Sequence, residues 1–283
     1  MASTFSSKVH TEEIKYSFTV DDETTSTVTE ASFKNIFEKI FSLYNGPIKE
    51  LEMPVVLAPE WDNPYISAYN ILLNNQIKIG MFGGLARVPG MNDEAVALTI
   101  CHELGHSLAG APYFSLSLYK SQSSEGQSDF FATSKCLKKY YKTLPDNKKF
   151  LDAEIPKFAK KRCDDKFLDL EKKAICYRTV FAIDGFNHLL QHVHSHNGES
   201  SLSVVDDSEI EIEDVNQYPT NQCRLEILMS GALDLKRPTC WFKDSESNNV
   251  QEQIPCDRST SVLEPEIINN IENVLFHTSE RMQ

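Results

Sequence analysis

The sequence lacks three features that would have placed the protein in a common class. It contains no run of about 18 or more apolar residues, so no transmembrane helix is predicted. It contains no Cys-x-x-Cys pair, which argues against a zinc ribbon and against a thioredoxin-type redox site. Residues 1–8 lack the apolar core of a signal peptide, so we expect either a cytoplasmic protein or an exported chain whose signal has been removed.

Basic residues are in deficit. The chain has 28 Lys and Arg against 41 Asp and Glu, which gives a formal net charge of −13. Such a surface repels phosphate backbones, so nucleic acid is not an expected partner. The 41% hydrophobic and 24% charged residues are ordinary for a globular protein. We expect a single domain over residues 1–283, and the sequence leaves its oligomeric state open.

The cysteines bear on the compartment in which the protein works. There are seven: Cys101, Cys136, Cys163, Cys176, Cys223, Cys240 and Cys256. The six from Cys136 onward are expected to form three disulfides in an oxidising compartment, with Cys101 left buried beside the motif helix. This favours a periplasmic or secreted protein, and reduced thiols in the cytoplasm are the alternative. The pairing itself cannot be read from the sequence.

Residue patterns divide the chain into a sheet-containing part, residues 1–90, and a mainly helical part, residues 91–283. Alternating apolar residues predict a strand over 14–20, and apolar residues three and four apart predict a helix that stops at Asn45-Gly46-Pro47. Further strands are predicted at 55–57, 68–73 and 76–82, helices over 93–109, 125–142, 147–161, 166–193, 220–233 and 264–279, and loops over 195–216 and 243–260. The prediction is an α+β fold, with a small mixed or antiparallel N-terminal sheet beside a helical body.

Two details of the sheet follow from its turn residues. Asn74-Asn75 indicates a hairpin turn, and Gly83-Gly84 is expected to end or kink the strand that follows it. The stretch from Gln76 to Arg87 is either a sheet edge along which an extended peptide binds or an ordinary covered strand.

The stretch His102-Glu103-Leu104-Gly105-His106 carries the most informative pattern. Asn92 suits a helix N-cap, and Gly110 and Pro112 follow the helix end, so both histidines lie inside a well-bounded helix. Residues four apart lie on one face, about one turn from each other, so the two imidazoles can bind one ion. His-Glu-x-x-His on a helix is typical of zinc peptidases.

Glu103 has a distinct role in this pattern. It is rotated by about 100° from His102, so it can lie beside a bound metal and accept a proton from the water that the metal activates. The alternative is a chance match: two surface histidines and a solvated glutamate.

A third ligand is predicted on the next helix. Ser124-Glu125-Gly126-Gln127 has the form of a capping box, and Asp129 lies one turn after Glu125 on the same face. Catalytic zinc keeps three protein ligands, so Glu125 would complete the set. Asp129 is suited to accept the second ring N–H of a ligating histidine. Taken singly, Glu125 would be a helix-dipole residue and Asp129 an exposed charge.

The His-Glu-x-x-His helix followed by Glu125-x-x-x-Asp129 resembles the gluzincin metallopeptidases. Glu125-Gly126-Gln127-Ser128-Asp129-Phe130-Phe131-Ala132 is similar to the second motif of the CAAX prenyl-protease and heat-shock membrane-peptidase group. A third match is Tyr218-Pro219-Thr220-Asn221-Gln222-Cys223-Arg224-Leu225, with Tyr218 where that group usually has His. The resemblance covers about residues 76–135 and 216–235, and the chain lacks the transmembrane helices of the membrane members.

The resemblance implies a zincin-like peptidase that acts on a peptide or protein substrate. It implies His102, His106 and Glu125 as Zn²⁺ ligands, Glu103 as general base and Asp129 as the partner of a ligand. It also implies that Tyr218 and Arg224 lie near the substrate or the developing oxyanion, although Tyr218 could equally be a half-buried aromatic at a helix start. Two alternatives stay open: a zinc-binding or chaperone-like module with vestigial activity, and a partner-binding protein with a chance motif.

A second group of histidines runs from His188 to His196. His188 and His192 have helical metal-binding spacing, and His194 and His196 follow closely. No acidic residue follows in a comparable motif, so the expected structure is a solvent-exposed, pH-sensitive patch, with adventitious metal binding as the alternative.

Overall fold

A computed structural model describes residues 16–51, 53–114, 122–209 and 215–241. Within these ranges the chain has a three-stranded mixed sheet and a mainly helical body, which confirms the predicted α+β class. The elements are α1 (Glu30–Lys49), β1 (Val55–Glu60), β2 (Ala68–Leu73), β3 (Gln76–Phe82), α2 (Gly83–Ala86), α3 (Asp93–Leu108), α4 (Glu125–Phe131), α5 (Leu137–Tyr141), α6 (Lys157–Lys166), α7 (Leu170–Val193) and α8 (Asn221–Ala232). The helix predicted at 264–279, the loop at 243–260 and Cys256 lie outside the described residues.

The sheet has the strand order β1-β3-β2. The predicted hairpin is confirmed, because β2 and β3 pair antiparallel and Asn74 and Asn75 both adopt the positive φ of a tight hairpin turn. β3 also pairs parallel with β1, so it is a central covered strand and not the edge that the sequence left open. Gly83 and Gly84 end β3, as predicted, by starting α2.

The strand predicted at 14–20 is not formed as expected. Residues 14 and 15 lie outside the described residues, and the remainder contributes only an isolated bridge between Ser17 and Tyr65. Phe18 is nevertheless buried, and its amide donates to the carbonyl of Pro64. This segment is therefore held by a few contacts to a loop and not by a strand ladder.

Helix α1 buries the predicted apolar face, which consists of Phe33, Ile36, Phe37, Ile40, Phe41 and Tyr44. Its predicted end is wrong, because the helix continues through Pro47 to Lys49. Proline has no N–H to donate to the carbonyl four residues earlier, which belongs to Leu43. The ammonium of Lys139 donates to that carbonyl at 2.6 Å, so the lost helical hydrogen bond has a tertiary replacement.

Helix α3 begins and ends as predicted. The Asn92 side chain accepts a hydrogen bond from the amide of Ala95, and Gly110 follows the helix with φ of 80°. The segment predicted as one helix over 125–142 forms α4, a π-helical turn (Ala132–Cys136) and α5 in succession. The predicted capping box is wrong, because the Ser124 hydroxyl makes no hydrogen bond and the Gln127 amide donates to the carbonyl of Ala109.

The remaining helices differ from the prediction at their boundaries. The region 147–161 is a 3-10 helix (Asn147–Asp152) followed by α6, because Pro156 restricts the backbone before α6 starts. Helix α7 begins at Leu170, four residues later than predicted, with Asp169 as its N-cap. Helix α8 agrees with the prediction to within a residue at each end.

Three disulfides are formed among the described residues, which confirms the predicted number: Cys101–Cys136, Cys163–Cys176 and Cys223–Cys240. The expectation that Cys101 stays unpaired is wrong. Helix α3 packs against the π-helical turn, which brings the Cα atoms of Cys101 and Cys136 to 5.6 Å. Among the described helices, none has the length and apolar character needed to cross a membrane.

Candidate metal centre

Helix α3 carries His102, Glu103 and His106 into the interior, where all three are buried. The two imidazole rings lie on one face, with their centroids 4.8 Å apart. Gly105 lets α4 approach, since a β-carbon there would lie 3.0 Å from the Cα of Ser128. The close contact of the two helices brings Glu125 to the histidine face.

The Glu125 carboxylate faces both rings. Its Oε2 lies 3.2 Å from Nε2 of His102, and its Oε1 lies 3.7 Å from Nε2 of His106. Ligand atoms around a tetrahedral zinc with bonds of about 2 Å are separated by about 3.3 Å. The three ligand atoms lie within 4.8 Å of one another, so this group could hold a metal ion.

The hydrogen bonds behind the rings fix which nitrogen faces the centre. Nδ1 of His102 donates to Oδ1 of Asp129 at 2.8 Å, and Nδ1 of His106 donates to the carbonyl of Ser123 at 2.7 Å. Both acceptors lack a proton to give, so each Nδ1 carries the hydrogen. The Nε2 atoms then face Glu125, and each presents a lone pair once it carries no proton. Two ring nitrogens and a carboxylate that converge in this way fit a cation.

The electrostatics of the site point the same way. Burial opposes a charged ring, but Asp129 and Glu125 outweigh it and raise the pKa of His102 to about 10. Burial also opposes the Glu125 charge, but the charges of His106, His102 and Arg224 hold the pKa of that carboxyl below its usual range. A metal ion would take the place of the Nε2 proton, so metal binding and acidification compete.

Arg224 reaches the centre from the first turn of α8. Its Nε donates to Oδ2 of Asp129 at 2.7 Å and its Nη2 to Oδ1 at 2.8 Å, and both residues are buried. Nη2 lies 3.9 Å from Oε2 of Glu125. The guanidinium is therefore occupied by the carboxylate that orients His102, and Thr220 caps the helix that carries it.

Tyr218 lies in the turn before α8. The residue is 49% exposed, and its phenol lies close enough to Glu125 and Arg224 for their charges to act on it. The Glu125 charge, burial and a hydrogen bond to Glu125 raise the pKa of the Tyr218 phenol well above its ordinary value. The guanidinium of Arg224 lies 5.5 Å from the ring centroid. Tyr218 thus combines a solvent-facing edge with a hydroxyl beside the candidate ligand set.

Glu103 is buried beside the ligands without being part of the ligand group. Burial, the largest cause, raises the pKa of the Glu103 carboxyl to about 7. Its main-chain carbonyl accepts a hydrogen bond from the Asn70 amide at 2.6 Å, which anchors α3 to β2. The carboxyl can therefore hold or release a proton near neutral pH.

Three contributors were not found from the sequence. Ser123 acts through its main-chain carbonyl, and Asn70 lies in an unremarkable strand, so neither gave a signal. His194 was assigned to an exposed patch, but it is half-buried, with its ring centroid 5.2 Å from that of Tyr218. Burial and the charge of Arg224 lower the pKa of His194 to about 4. His196 is exposed, as predicted.

Comparisons with protein-family models, with curated proteins and with solved structures returned no match. The family resemblance therefore rests on the sequence motifs alone. What the centre can do chemically has to be argued from its own residues and distances.

Proposed function

We propose that this protein is a zinc-dependent endopeptidase of the gluzincin type, with a zincin-like arrangement of its site. The observation that carries the proposal is the position of Glu103: a buried carboxyl with a pKa of about 7 beside a trio that could hold a metal ion. A site that only stores a metal needs no such proton-exchanging group. This arrangement favours hydrolysis over the alternatives of a vestigial module and a chance motif.

Zinc fits the donor set of two histidines and one carboxylate. Such three-ligand sites leave a position open, which is the usual arrangement in catalytic zinc sites. When bound, zinc lowers the pKa of a coordinated water and polarises a carbonyl. The hydrogen bonds from His102 to Asp129 and from His106 to Ser123 support the proposal, because they orient both rings for coordination.

In the proposed mechanism Glu103 moves the proton. Its carboxylate accepts the proton from the attacking water and then donates it to the nitrogen of the leaving amine. Burial, which raises the pKa of this carboxyl towards the working pH, favours both steps, because the group must gain and lose a proton. The Asn70 amide holds the main chain of Glu103 and thereby its position along α3.

We assign different roles to Tyr218 and Arg224. The Tyr218 hydroxyl stays protonated and lies beside Glu125, so it can donate a hydrogen bond to the oxyanion of the tetrahedral intermediate. The Arg224 guanidinium is bound to Asp129, so we assign it a positioning role behind His102 and not direct contact with the oxyanion.

The proposed substrate is an extended peptide that binds along β2. This strand lies at the edge of the sheet and is anchored to α3 through Asn70. In the antiparallel β2–β3 hairpin every second residue of β2 forms main-chain hydrogen bonds with β3. The N–H and C=O groups of the residues between them, Ala68, Asn70 and Leu72, point away from β3. The Gln122 amide already donates to the Asn70 carbonyl at 2.7 Å, so a bound peptide would pair with the main-chain groups of Ala68 and Leu72. Main-chain pairing would require little side-chain specificity.

Export is the second part of the proposal. Three disulfides among the described residues are typical of an oxidising compartment, because cytoplasmic thiols are kept reduced. We therefore propose a periplasmic or secreted protein. A mass measurement under non-reducing conditions that finds free thiols at these six positions in freshly isolated protein would contradict it.

The deciding experiment separates metal binding from turnover. Glu103→Gln keeps the size of the side chain but removes the base, so we expect zinc content equal to wild type and at least a hundredfold loss of peptide hydrolysis, about the lower end of base catalysis. His106→Ala should lose zinc. Glu38→Gln, an exposed change on α1, is the matched control. Full activity in Glu103→Gln, or wild type that binds zinc but cleaves nothing, would refute the proposal.

A further inference from the structure

The charge of this acidic protein is unevenly distributed. Residues 135–173, which we call the basic segment, contain 13 of the 28 Lys and Arg but only seven Asp and Glu. The basic segment therefore carries +6, and the rest of the chain carries −19. A local charge reversal of this size indicates a surface for an anionic partner, although the chain as a whole repels one.

The basic segment folds into one region of the molecule. It contains α5, the 3-10 helix, α6 and the start of α7. The Asn147 amide donates to the carbonyl of Tyr141 and to the carboxylate of Glu171, both at 2.9 Å, and so joins three of these elements. The Cys163–Cys176 disulfide joins α6 to α7. The lysines are thus gathered by tertiary contacts as well as by sequence.

Part of this charge is free to meet a partner. Asp164 and Asp165 pair with Lys173 and Lys161, so two of the acidic residues are neutralised within the segment. Eight exposed lysines of the segment, with Lys142, Lys148, Lys157, Lys166 and Lys172 among them, form no ion pair with any residue that the structure describes. Burial is the main cause that lowers the pKa of the Lys138 ammonium, and the nearby charges of Lys142 and Lys166 add to it.

Apolar side chains project from the same segment. Leu168, in the corner between α6 and α7, is 94% exposed, which is the highest value among the large exposed hydrophobic residues of the described chain. Leu170 is 57% exposed and Phe158 is 39% exposed. Leu168 lies two residues from Lys166, and Leu170 two residues from Lys172. Asp165, Asp169 and Glu171 also lie beside the leucines, but residues 157–173 have seven Lys and Arg against four Asp and Glu, so the apolar anchor lies in a stretch of net charge +3.

We propose that the basic segment is a docking surface for an anionic lipid bilayer. The lysines lie against the acidic headgroups, and Leu168 and Leu170 enter the boundary between headgroups and acyl chains. A nucleic acid has no apolar layer at its phosphate surface, and an acidic protein would need a pocket for a side chain that protrudes from a helix corner. The lipid surface accommodates both features without a preformed pocket.

The test uses the full-length protein and sedimentation with vesicles. Vesicles made of equal parts phosphatidylcholine and phosphatidylglycerol are compared with vesicles of phosphatidylcholine alone, at low and at physiological salt. We expect binding to the anionic vesicles only, and weaker binding at the higher salt. Equal partitioning into both vesicle types, or binding that salt does not weaken, would overturn the proposal.

Matched variants assign the surface. Lys166→Glu with Lys172→Glu should weaken binding by at least about 25-fold, because each lysine near an anionic surface contributes about fivefold and each new carboxylate is repelled by it. Lys39→Glu with Lys49→Glu, which makes the same charge change on exposed positions of α1, should have a much smaller effect.

A second pair of variants tests the apolar contact. Leu168→Asp should weaken binding by about tenfold, whereas Val204→Asp, at a residue 52% exposed outside the segment, should act only through its single charge. Thermal melting verifies that every variant is folded. If Leu168→Asp and Val204→Asp have equal effects, or if a short DNA duplex competes for the segment as well as vesicles do, the surface is a general polyanion site and the proposal is wrong. None of these outcomes depends on peptidase activity.

Discussion

Asp129 holds the imidazole of His102 through a hydrogen bond of 2.8 Å between Oδ1 and Nδ1, and both side chains are buried. The bond fixes the ring rotation and leaves Nε2 facing Glu125. The same carboxylate is bound by Arg224 through two further hydrogen bonds. Residues on α3, α4 and α8 are therefore connected through the carboxyl group of Asp129. A change at Asp129 should alter metal affinity more directly than substrate affinity.

The first prediction concerns Asp129→Asn. The amide keeps the shape of the side chain but loses the charge that faces His102 and Arg224, so we expect zinc affinity to fall by about 10- to 100-fold. Competition with a zinc chelator measures this loss. Asp152→Asn, at an exposed position, is the control. Unchanged zinc affinity in Asp129→Asn would remove Asp129 from the centre.

The second prediction concerns pH. Glu103 must be deprotonated to accept a proton, and burial raises its pKa to about 7. Hydrolysis should therefore be lost as the pH falls through the pKa of this group, and a bound cation shifts that limb below pH 7 because it favours the carboxylate. The pH profile of kcat/KM measures the limb. A profile that stays flat down to about pH 4.5, the ordinary range of a glutamate, would contradict the assignment.

The third prediction compares two disulfides. Cys101–Cys136 closes a 35-residue separation and Cys163–Cys176 one of 13 residues. From the loop lengths we expect losses in the free energy of unfolding of about 4 and about 3 kcal/mol when each pair is replaced by alanine. Only Cys101–Cys136 is adjacent to a ligand, so its removal should also lower zinc affinity. Urea titration measures the free energy of unfolding, and chelator competition measures zinc affinity. Equal zinc affinity in both variants would contradict the predicted effect of Cys101–Cys136 on the metal.

The fourth prediction concerns Gly105. A β-carbon there would lie 3.0 Å from the Cα and 3.1 Å from the carbonyl oxygen of Ser128, so Gly105→Ala should push α4 away from α3 and weaken zinc binding. Gly46→Ala is the matched control, since nothing lies within 4 Å of its β-carbon position and alanine favours a helix by up to about 1 kcal/mol. Melting temperature with and without zinc measures both. Full zinc binding in Gly105→Ala would show that the helices can adjust.

Local patterns predicted much of the fold. The α3 boundaries, the buried face of α1 and the Asn74-Asn75 hairpin were predicted correctly, because each depends on neighbouring residues. The helix end at Pro47 was predicted wrongly. The Leu43 carbonyl, which Pro47 cannot serve with a donor, accepts a hydrogen bond from Lys139, 96 residues away along the chain. The prediction that Cys101 is unpaired was wrong for a similar reason, because the spacing of cysteines along the chain does not determine which helices pack together.

The sequence by itself determined the candidate metal-binding residues, through the spacing of His102 and His106 and the position of Glu125 at the next helix start. A helical repeat fixes which residues share a face, so such a motif can be read locally. Only the tertiary structure decided how these residues are supported: the carbonyl of Ser123 behind His106, the amide of Asn70 on the main chain of Glu103, and His194 against Tyr218. Main-chain groups occur at every residue, and contacts across long separations depend on packing, so no local pattern marks them.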